Sequence, residues 1–252
     1  MRWISCVLAV LVPALSAGVR AAPPAPVIVE LFTSEGCIDC PPADTLLEKL
    51  IAAQPNVIGL GQHVDYWDRL GWKDRFSSAA LTDRQRQYAA RFNTESIYTP
   101  QMIVDGRTEF VGSDAGAANR AIARALTAPH GVVGLKVDDG GARVSVTVTA
   151  RDLPRPGHGD VADIIVAVTE DHLRSDVSRG ENHGRVLSHT AVVRHMAAIG
   201  RATSDGSASA HADIPLGADW KRDALKVVAF VQEQRGRTIL GSATVELKNA
   251  AR

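Results

Sequence analysis

Two cysteines three positions apart, in the stretch LFTSEGCIDCPP at residues 31–42, constrain this chain more than any other feature. They follow an apolar run directly and precede a pair of prolines. The third cysteine, Cys6, lies in MRWISCVLAVLVPALSAGVRAAPPAP. There Arg2 gives a positive start, Ile4 to Leu15 an apolar stretch and Val19-Arg20-Ala21 a small-residue cleavage pattern, so residues 1–22 read as a secretory signal peptide. A retained anchor is the alternative, but about twelve apolar residues fall short of the roughly 20 that a spanning helix needs. With the leader removed, Cys37 and Cys40 have only each other. The expected location is secreted or periplasmic, where the closed disulfide is the resting state.

Roughly 230 residues then remain, enough for one large or two ordinary domains with a full core, so no staple is needed for stability. The leader carries two of the 28 basic residues, which leaves 26 against 28 acidic ones. That balance suggests no nucleic-acid or membrane surface. Composition shifts near Thr127-Ala128-Pro129-His130-Gly131, from alanine-rich helical sequence to alternating, β-branched segments. The expected division is therefore 23–129 and 130–252.

In the first part, Val27 to Phe32 reads as a buried strand, apolar on both faces except at Glu30. Ala43, Leu46, Leu47, Leu50 and Ile51 recur at helical spacing, Pro55-Asn56 stops that helix, and Val57 to Val64 is a second strand, implying a parallel crossover. Thr82 with Gln85 signals the start of a helix to about Phe92. Asp105-Gly106 marks a hairpin between Gln101–Val104 and Arg107–Val111. Asp114 caps a last helix with Ala118, Ala121, Ile122 and Ala125 on its apolar face. With two cysteines at the first strand-to-helix junction, this order resembles thioredoxin. The second part offers seven strands: Val132–Val137, Arg143–Ala150, Ile164–Thr169, Val186–Val193, Ala208–Ile214, Leu225–Gln232 and Thr238–Leu247, with Met196 to Ile199 as a helical alternative after the fourth. The expected fold is an α/β thioredoxin-like domain followed by an all-β, immunoglobulin-like sandwich.

A thiol attacks only as thiolate, and a helix N-terminus favours the anion. Cys37 is expected on the exposed lip before the helix, as the sulfur that attacks or is attacked. Cys40, deeper in the first turn, resolves the mixed disulfide. All of this requires one accessible sulfur. The alternatives are a disulfide that only stiffens the loop, and a soft metal such as copper held by the two thiolates and His63. Asp39 opposes the thiolate by charge and favours a reductant, unless its carboxylate turns to cap the helix. Pro41 and Pro42 fit only the first turn and bias Cys40 away from helical geometry.

Three further clues stand nearby. Glu30 is costly in an apolar strand unless paired or protonated; thioredoxins have a buried acid there that relays a proton to the inner cysteine, and the alternative is neutralisation by an arginine such as Arg107. Pro100, in YTPQMIVDG, resembles the thioredoxin cis-proline, which implies that the Thr99 backbone offers hydrogen bonds to an extended substrate; without the resemblance it is a trans strand entry. In HVDYWDRLGWKD, His63 and Asp65 offer acid-base groups or metal ligands and Tyr66, Trp67 and Trp72 an aromatic wall. Alternatively, His63 bonds Asp65 in a packed loop. The other histidines, among them His172, His183, His189 and His195, match no metal spacing.

Together VIVELFTSEGCIDCPPADTLLEKL, HVDYWDRLGWKD, YTPQMIVDGRTEFVGSD and RGENHGRVLSHTAVVRH resemble the secreted, thioredoxin-like domain-of-unknown-function family numbered 1223. The resemblance extends to Glu30, Cys37, Cys40, His63, Asp65, Tyr66, Trp67, Trp72, Pro100 and the Gly180-Glu181-Asn182 turn. Ile38-Asp39 between the cysteines departs from it. That family carries no established activity, so the resemblance supports fold and location; the function expected from Cys37 and Cys40 is an exported thiol-disulfide oxidoreductase, a reductant or isomerase. It would act on exported protein thiols or disulfides with a redox partner, and would need no cofactor or metal beyond its own disulfide.

Overall fold

The computed structural model describes residues 25–249. The signal peptide expected at 1–22, with Cys6, lies outside them. No helix among the described residues is long and apolar enough to cross a membrane.

The first half forms β1 (Val27–Thr33), α1 (Pro41–Ala53), β2 (Val57–His63), α2 (Ala79–Phe92), β3 (Gln101–Val104), β4 (Thr108–Val111) and α3 (Ala115–Leu126). β1 and β2 pair in parallel from Val27↔Val57 to Thr33↔His63, and β3 runs antiparallel to β1. Asp105 and Gly106 turn the hairpin with φ of 55° and 66°. Asp114 caps α3 by accepting from Ala117 N at 2.8 Å. The cap of α2 lies earlier than expected: Ser78 accepts from Ala80 N, while the Thr82 hydroxyl is engaged with Asp65.

The second half gives β5 (Val132–Asp139), β6 (Arg143–Arg151), β7 (Ala162–Glu170), β8 (Leu173–Asp176), β9 (Val186–His189), β10 (Val192–Arg201), β11 (Ala208–Pro215), β12 (Leu225–Glu233) and β13 (Ile239–Glu246). The fourth expected strand is two strands. Ala191, at φ 50°, breaks the run, β9 leaves to pair with β8, and Met196 to Ile199 lie in β10 rather than in a helix.

The expected fold class needs correction. A thioredoxin-like α/β domain beside a separate immunoglobulin-like sandwich is not what forms. Strands of both halves make one eight-stranded mixed sheet in the order β13-β12-β7-β10-β2-β1-β3-β4, faced by a three-stranded sheet β11-β6-β5. The seam is the parallel pair Val192↔Gly61, where Gly61 N donates to Ala191 O at 2.7 Å. A Cβ on Gly61 would stand 3.0 Å from Thr190 O, so a side chain there would press on the approaching strand.

Packing shows why the halves merge. Val27, Val29 and Leu31 face α1 and α3. On the opposite face, Ile28, Ile58 and Leu60 share a core with Leu81 of α2 and with Ile165, Val193 and Phe230 from the second half. A third core fills the space between the two sheets, built on Val144, Val146 and Val148 against Val166, Val168, Val227 and Val231. Burying the inner edge of β2 removes apolar surface from water that an isolated α/β domain would leave exposed.

Candidate functional site around the disulfide loop

β1 delivers the chain to a tight loop, Ser34 to Asp39. Gly36 N donates to Ser34 Oγ at 3.1 Å and Cys37 N to Ser34 O at 3.2 Å. Cys37 and Cys40 form a disulfide with Cα atoms 5.4 Å apart. Cys40 caps α1 with no side-chain hydrogen bond, and Pro41 and Pro42 occupy the first turn, where no backbone donor is needed. One expectation and one alternative fail here. Cys40 is helical, at φ −77° and ψ −38°, despite the proline after it. Asp39 is exposed and does not cap the helix.

The larger correction concerns access. Cys37 is 1% exposed and Cys40 0%, so Cys37 does not sit on an open lip; Ile38, 38% exposed, is at the tip instead. Two segments make the seal. On one side the Thr99-Pro100 bond is cis and the Thr99 carbonyl lies 3.9 Å from Cys37 Sγ. Trp67 Nε1 donates to Thr99 Oγ1 at 2.8 Å, and Trp67 packs on Gly36, where an added Cβ would meet Trp67 Cβ at 3.0 Å. Tyr66 tilts against Trp67 with ring centres 6.3 Å apart. On the other side the loop between β8 and β9 clasps the cysteines: Asn182 Nδ2 donates to Glu35 O and Cys37 O, 2.9 Å each, and Ile38 N donates to Glu181 Oε2 at 3.1 Å.

Beside the loop lies a cluster of acids and imidazoles that sequence reasoning mostly missed. His63 shares a face with Thr33 and bonds Asp74 at 2.6 Å, not Asp65. Asp74 Oδ2 also accepts from Glu35 N at 2.9 Å, and Oδ1 from Phe76 N at 2.9 Å. Glu35 accepts from Trp72 Nε1 at 2.7 Å, and its Oε1 lies 3.3 Å from His189 Nε2. The two imidazoles meet edge to face at 4.8 Å. Asp44, one turn beyond Cys40, accepts from Thr33 Oγ1 at 3.2 Å.

The electrostatics divide this cluster. Burial raises the Asp44 pKa to about 6, against the pull of His189 and His63. Burial would also raise Asp74, but the His63 charge and hydrogen bond hold it at about 2. For His63, burial acts downward and the Asp74 charge outweighs it, so the net shift is up. Glu35 is likewise held below its usual range, burial being overcome chiefly by His189. Of the three carboxylates, Asp44 is thus shifted up while Asp74 and Glu35 are shifted down.

Glu30 takes no part in this group. Strand alternation puts it on the α2 face, away from α1. There it pairs with Arg84 at 2.6 and 2.9 Å and with the Tyr88 hydroxyl and Gln62. Burial would raise its pKa, but Arg84 and Tyr88 lower it. The proton-relay reading for Glu30 is set aside; the arginine reading holds, with Arg84 in place of Arg107. Asp65 is also turned away, accepting from Thr82 Oγ1 at 2.6 Å. The copper reading drew on His63 beside two thiolates, but His63 is committed to Asp74, and no group of three or more His, Cys, Asp or Glu among the described residues is arranged to hold a metal ion.

Asp74 and Asn182 both lie inside stretches that sequence reading had singled out. Their roles were hidden because their partners, His63, Glu35 and Cys37, come from other segments. A signal for Glu35 was present: it is an acid two residues before Cys37, in a loop too short to carry it far from the sulfurs.

A family model described as "Protein of unknown function (DUF1223)" matches residues 28–232. No curated protein matches the sequence. Among solved structures, protein AGR_C_4864 from Agrobacterium tumefaciens is similar at 28% identity and a TM-score of 0.65, covering 90% of this chain and 96% of that one. HBP35 of Porphyromonas gingivalis is similar in fold at 18% identity and a TM-score of 0.66, over 92% of this chain and 78% of its own.

Proposed function

The chain belongs to the DUF1223 family of proteins of unknown function, and from that premise we propose that it is an exported thiol-disulfide exchange protein working through Cys37 and Cys40. The observation that carries this reading is the disulfide at the N-terminus of α1 with the Thr99 carbonyl 3.9 Å from Cys37 Sγ. A disulfide closing so short a loop constrains the unfolded chain by only about 2 kcal/mol on the chain-entropy model, against roughly 4.7 for a loop of about 100 residues. It is a poor staple for a chain with this much core. At a helix N-terminus it is well placed for chemistry, since the dipole favours the thiolate that exchange produces.

In the reducing direction, the Cys37 thiolate attacks one sulfur of a substrate disulfide. That S–S bond breaks, a Cys37–substrate disulfide forms, and the substrate's other sulfur leaves as thiolate. Cys40 loses its proton and attacks Cys37 Sγ, releasing the second substrate sulfur and restoring Cys37–Cys40. Asp44, titrating near 6 one turn along the helix, suits the role of proton acceptor. Two electrons pass to the substrate, so a dithiol partner in the same exported compartment must resupply them. With both sulfurs buried, exchange requires the seal to open, at the 177–185 loop over the backbone of Ile38 and Cys37 or at the Trp67–Thr99 contact beside Cys37 Sγ.

The burial of both sulfurs also favours a second reading, a structural disulfide. A Cys40→Ser variant separates the two. Exchange predicts a mixed disulfide at Cys37 with a disulfide-bonded peptide or exported protein, and alkylation of Cys37 in the folded, reduced protein. No mixed disulfide and no alkylation in that variant, with a reduction potential below about −300 mV for the Cys37–Cys40 bond of the unsubstituted protein, would leave the structural reading.

A further inference from the structure

On the face of the large sheet opposite α1, a groove with a volume of about 930 Å³ runs beside α2 across β7 and β10. This is near the top of the roughly 300–1,000 Å³ range typical of small-molecule sites. Its floor includes Leu81, Ile165, Val193 and Met196, and its walls carry arginines 75, 84, 194, 235 and 237.

Most of that charge is already matched. Arg84 is held by Glu30, Arg194 by Glu170 at 2.5 Å and Asp219 at 3.3 Å, and Arg235 by Asp160 at 3.7 Å. Arg237 is different. It is 8% exposed, its Nε and Nη2 have no hydrogen-bond partner, and no carboxylate lies within ion-pair distance among the described residues. Its guanidinium stacks 5.2 Å from the centre of the Tyr88 ring. Arg75, exposed at the rim, also has no carboxylate partner among the described residues; it lies over Phe76 and donates to Arg174 O at 2.8 Å. The acid lining the groove, Asp163, is bound by Gln234 at 2.9 and 3.0 Å and by Arg201 at 3.4 Å. Glu30 and Asp163 act on Arg237 only from beyond ion-pair distance, and the Arg84 guanidinium opposes them; a cation buried against an apolar floor without a counter-charge in contact is unfavourable.

We propose that this groove binds an amphipathic organic anion, its carboxylate or phosphate head drawn to Arg237 and its apolar body laid along Ile165, Val193 and Met196. Arginine forks match both head groups, and the adjoining apolar strip accounts for the body. Nothing in this assignment depends on the disulfide, which belongs to the other face of the sheet.

Calorimetric titration of the full chain with octanoate, octyl phosphate and octanol tests it. At least one anion should bind at a single site, about tenfold or more tighter than octanol, and the better of the two identifies the head. Arg237→Gln should remove that preference. Should this variant fail to fold, Ala198→Glu keeps the test open, because Ala198 is exposed on the groove lining. Its added carboxylate should weaken anion binding about tenfold and leave octanol binding unchanged. Equal affinity for octanol and both anions, absence of binding by all three, or anion binding unaffected by Ala198→Glu would overturn the proposal.

Discussion

Asn182 Nδ2 donates to the carbonyl oxygens of both Glu35 and Cys37, at 2.9 Å in each case, across 147 and 145 residues of sequence. One amide from the second half of the chain thus holds two backbone positions of the disulfide loop. Asn182→Ala leaves the buried Glu35 carbonyl unpaired and the Cys37 carbonyl with Cys40 N alone, at 3.3 Å, at an expected cost of about 1–3 kcal/mol. Loosening the clasp should also speed reduction of Cys37–Cys40 by dithiothreitol. Denaturant melts and a thiol-release time course check both effects; an unchanged reduction rate would mean that this loop does not control access.

Replacing Cys37 and Cys40 together by serine should lower stability by only about 2 kcal/mol, the chain-entropy value for so short a loop. Urea unfolding of the variant against the oxidised protein measures it. A loss of 5 kcal/mol or more would make the bond a principal staple.

Acid and neutral pH should act in opposite senses on two neighbouring aspartates. Asp74 is depressed from 3.8 to about 2, so its stabilising contribution is complete above the unfolded pKa and is lost as pH falls from 3.8 through about 2. Asp74→Asn should flatten that acid limb. Asp44 is raised from 3.8 to about 6. Its folded state binds the extra proton, so its contribution worsens as pH rises from 3.8 through about 6. Asp44→Asn keeps a side chain that can accept from Thr33 and should stabilise the protein at pH 8 by on the order of 1–3 kcal/mol, with little effect at pH 3.5. Stability measured across pH distinguishes the two variants.

Glu30 and Arg84 form a buried pair on the far side of the sheet, with side chains 0% and 8% exposed. Glu30→Gln should cost about 3–5 kcal/mol, because Arg84 loses its counter-charge in the interior. The double variant Glu30→Leu, Arg84→Met should be more stable than Glu30→Gln, since removing both charges abolishes the desolvation penalty. Thermal melts of the three proteins suffice.

The amino-acid sequence alone determined the local elements. The apolar runs at Val27–Phe32 and Val57–Val64 each lie in a buried strand, the Ala118/Ala121/Ile122/Ala125 face is buried in α3, and the Asp105-Gly106 turn forms with φ above zero. The cysteine spacing is met by a disulfide. These features depend on contacts or backbone preferences within a few residues, which spacing records directly.

Tertiary structure decided the rest. That β2 would bond to β10 and fuse the halves into one sheet rested on Gly61 lacking a Cβ and on Ala191 turning the chain, facts about two distant backbones meeting. The partner of Glu30 proved to be Arg84, and that of His63 proved to be Asp74, because strand alternation and loop path choose the face before charge can act. The burial of both sulfurs likewise came from Trp67, Thr99 and the 181–182 turn, none adjacent to the cysteines in sequence. Hydrophobic periodicity reports which way a side chain points; it carries no record of which distant segment will cover it.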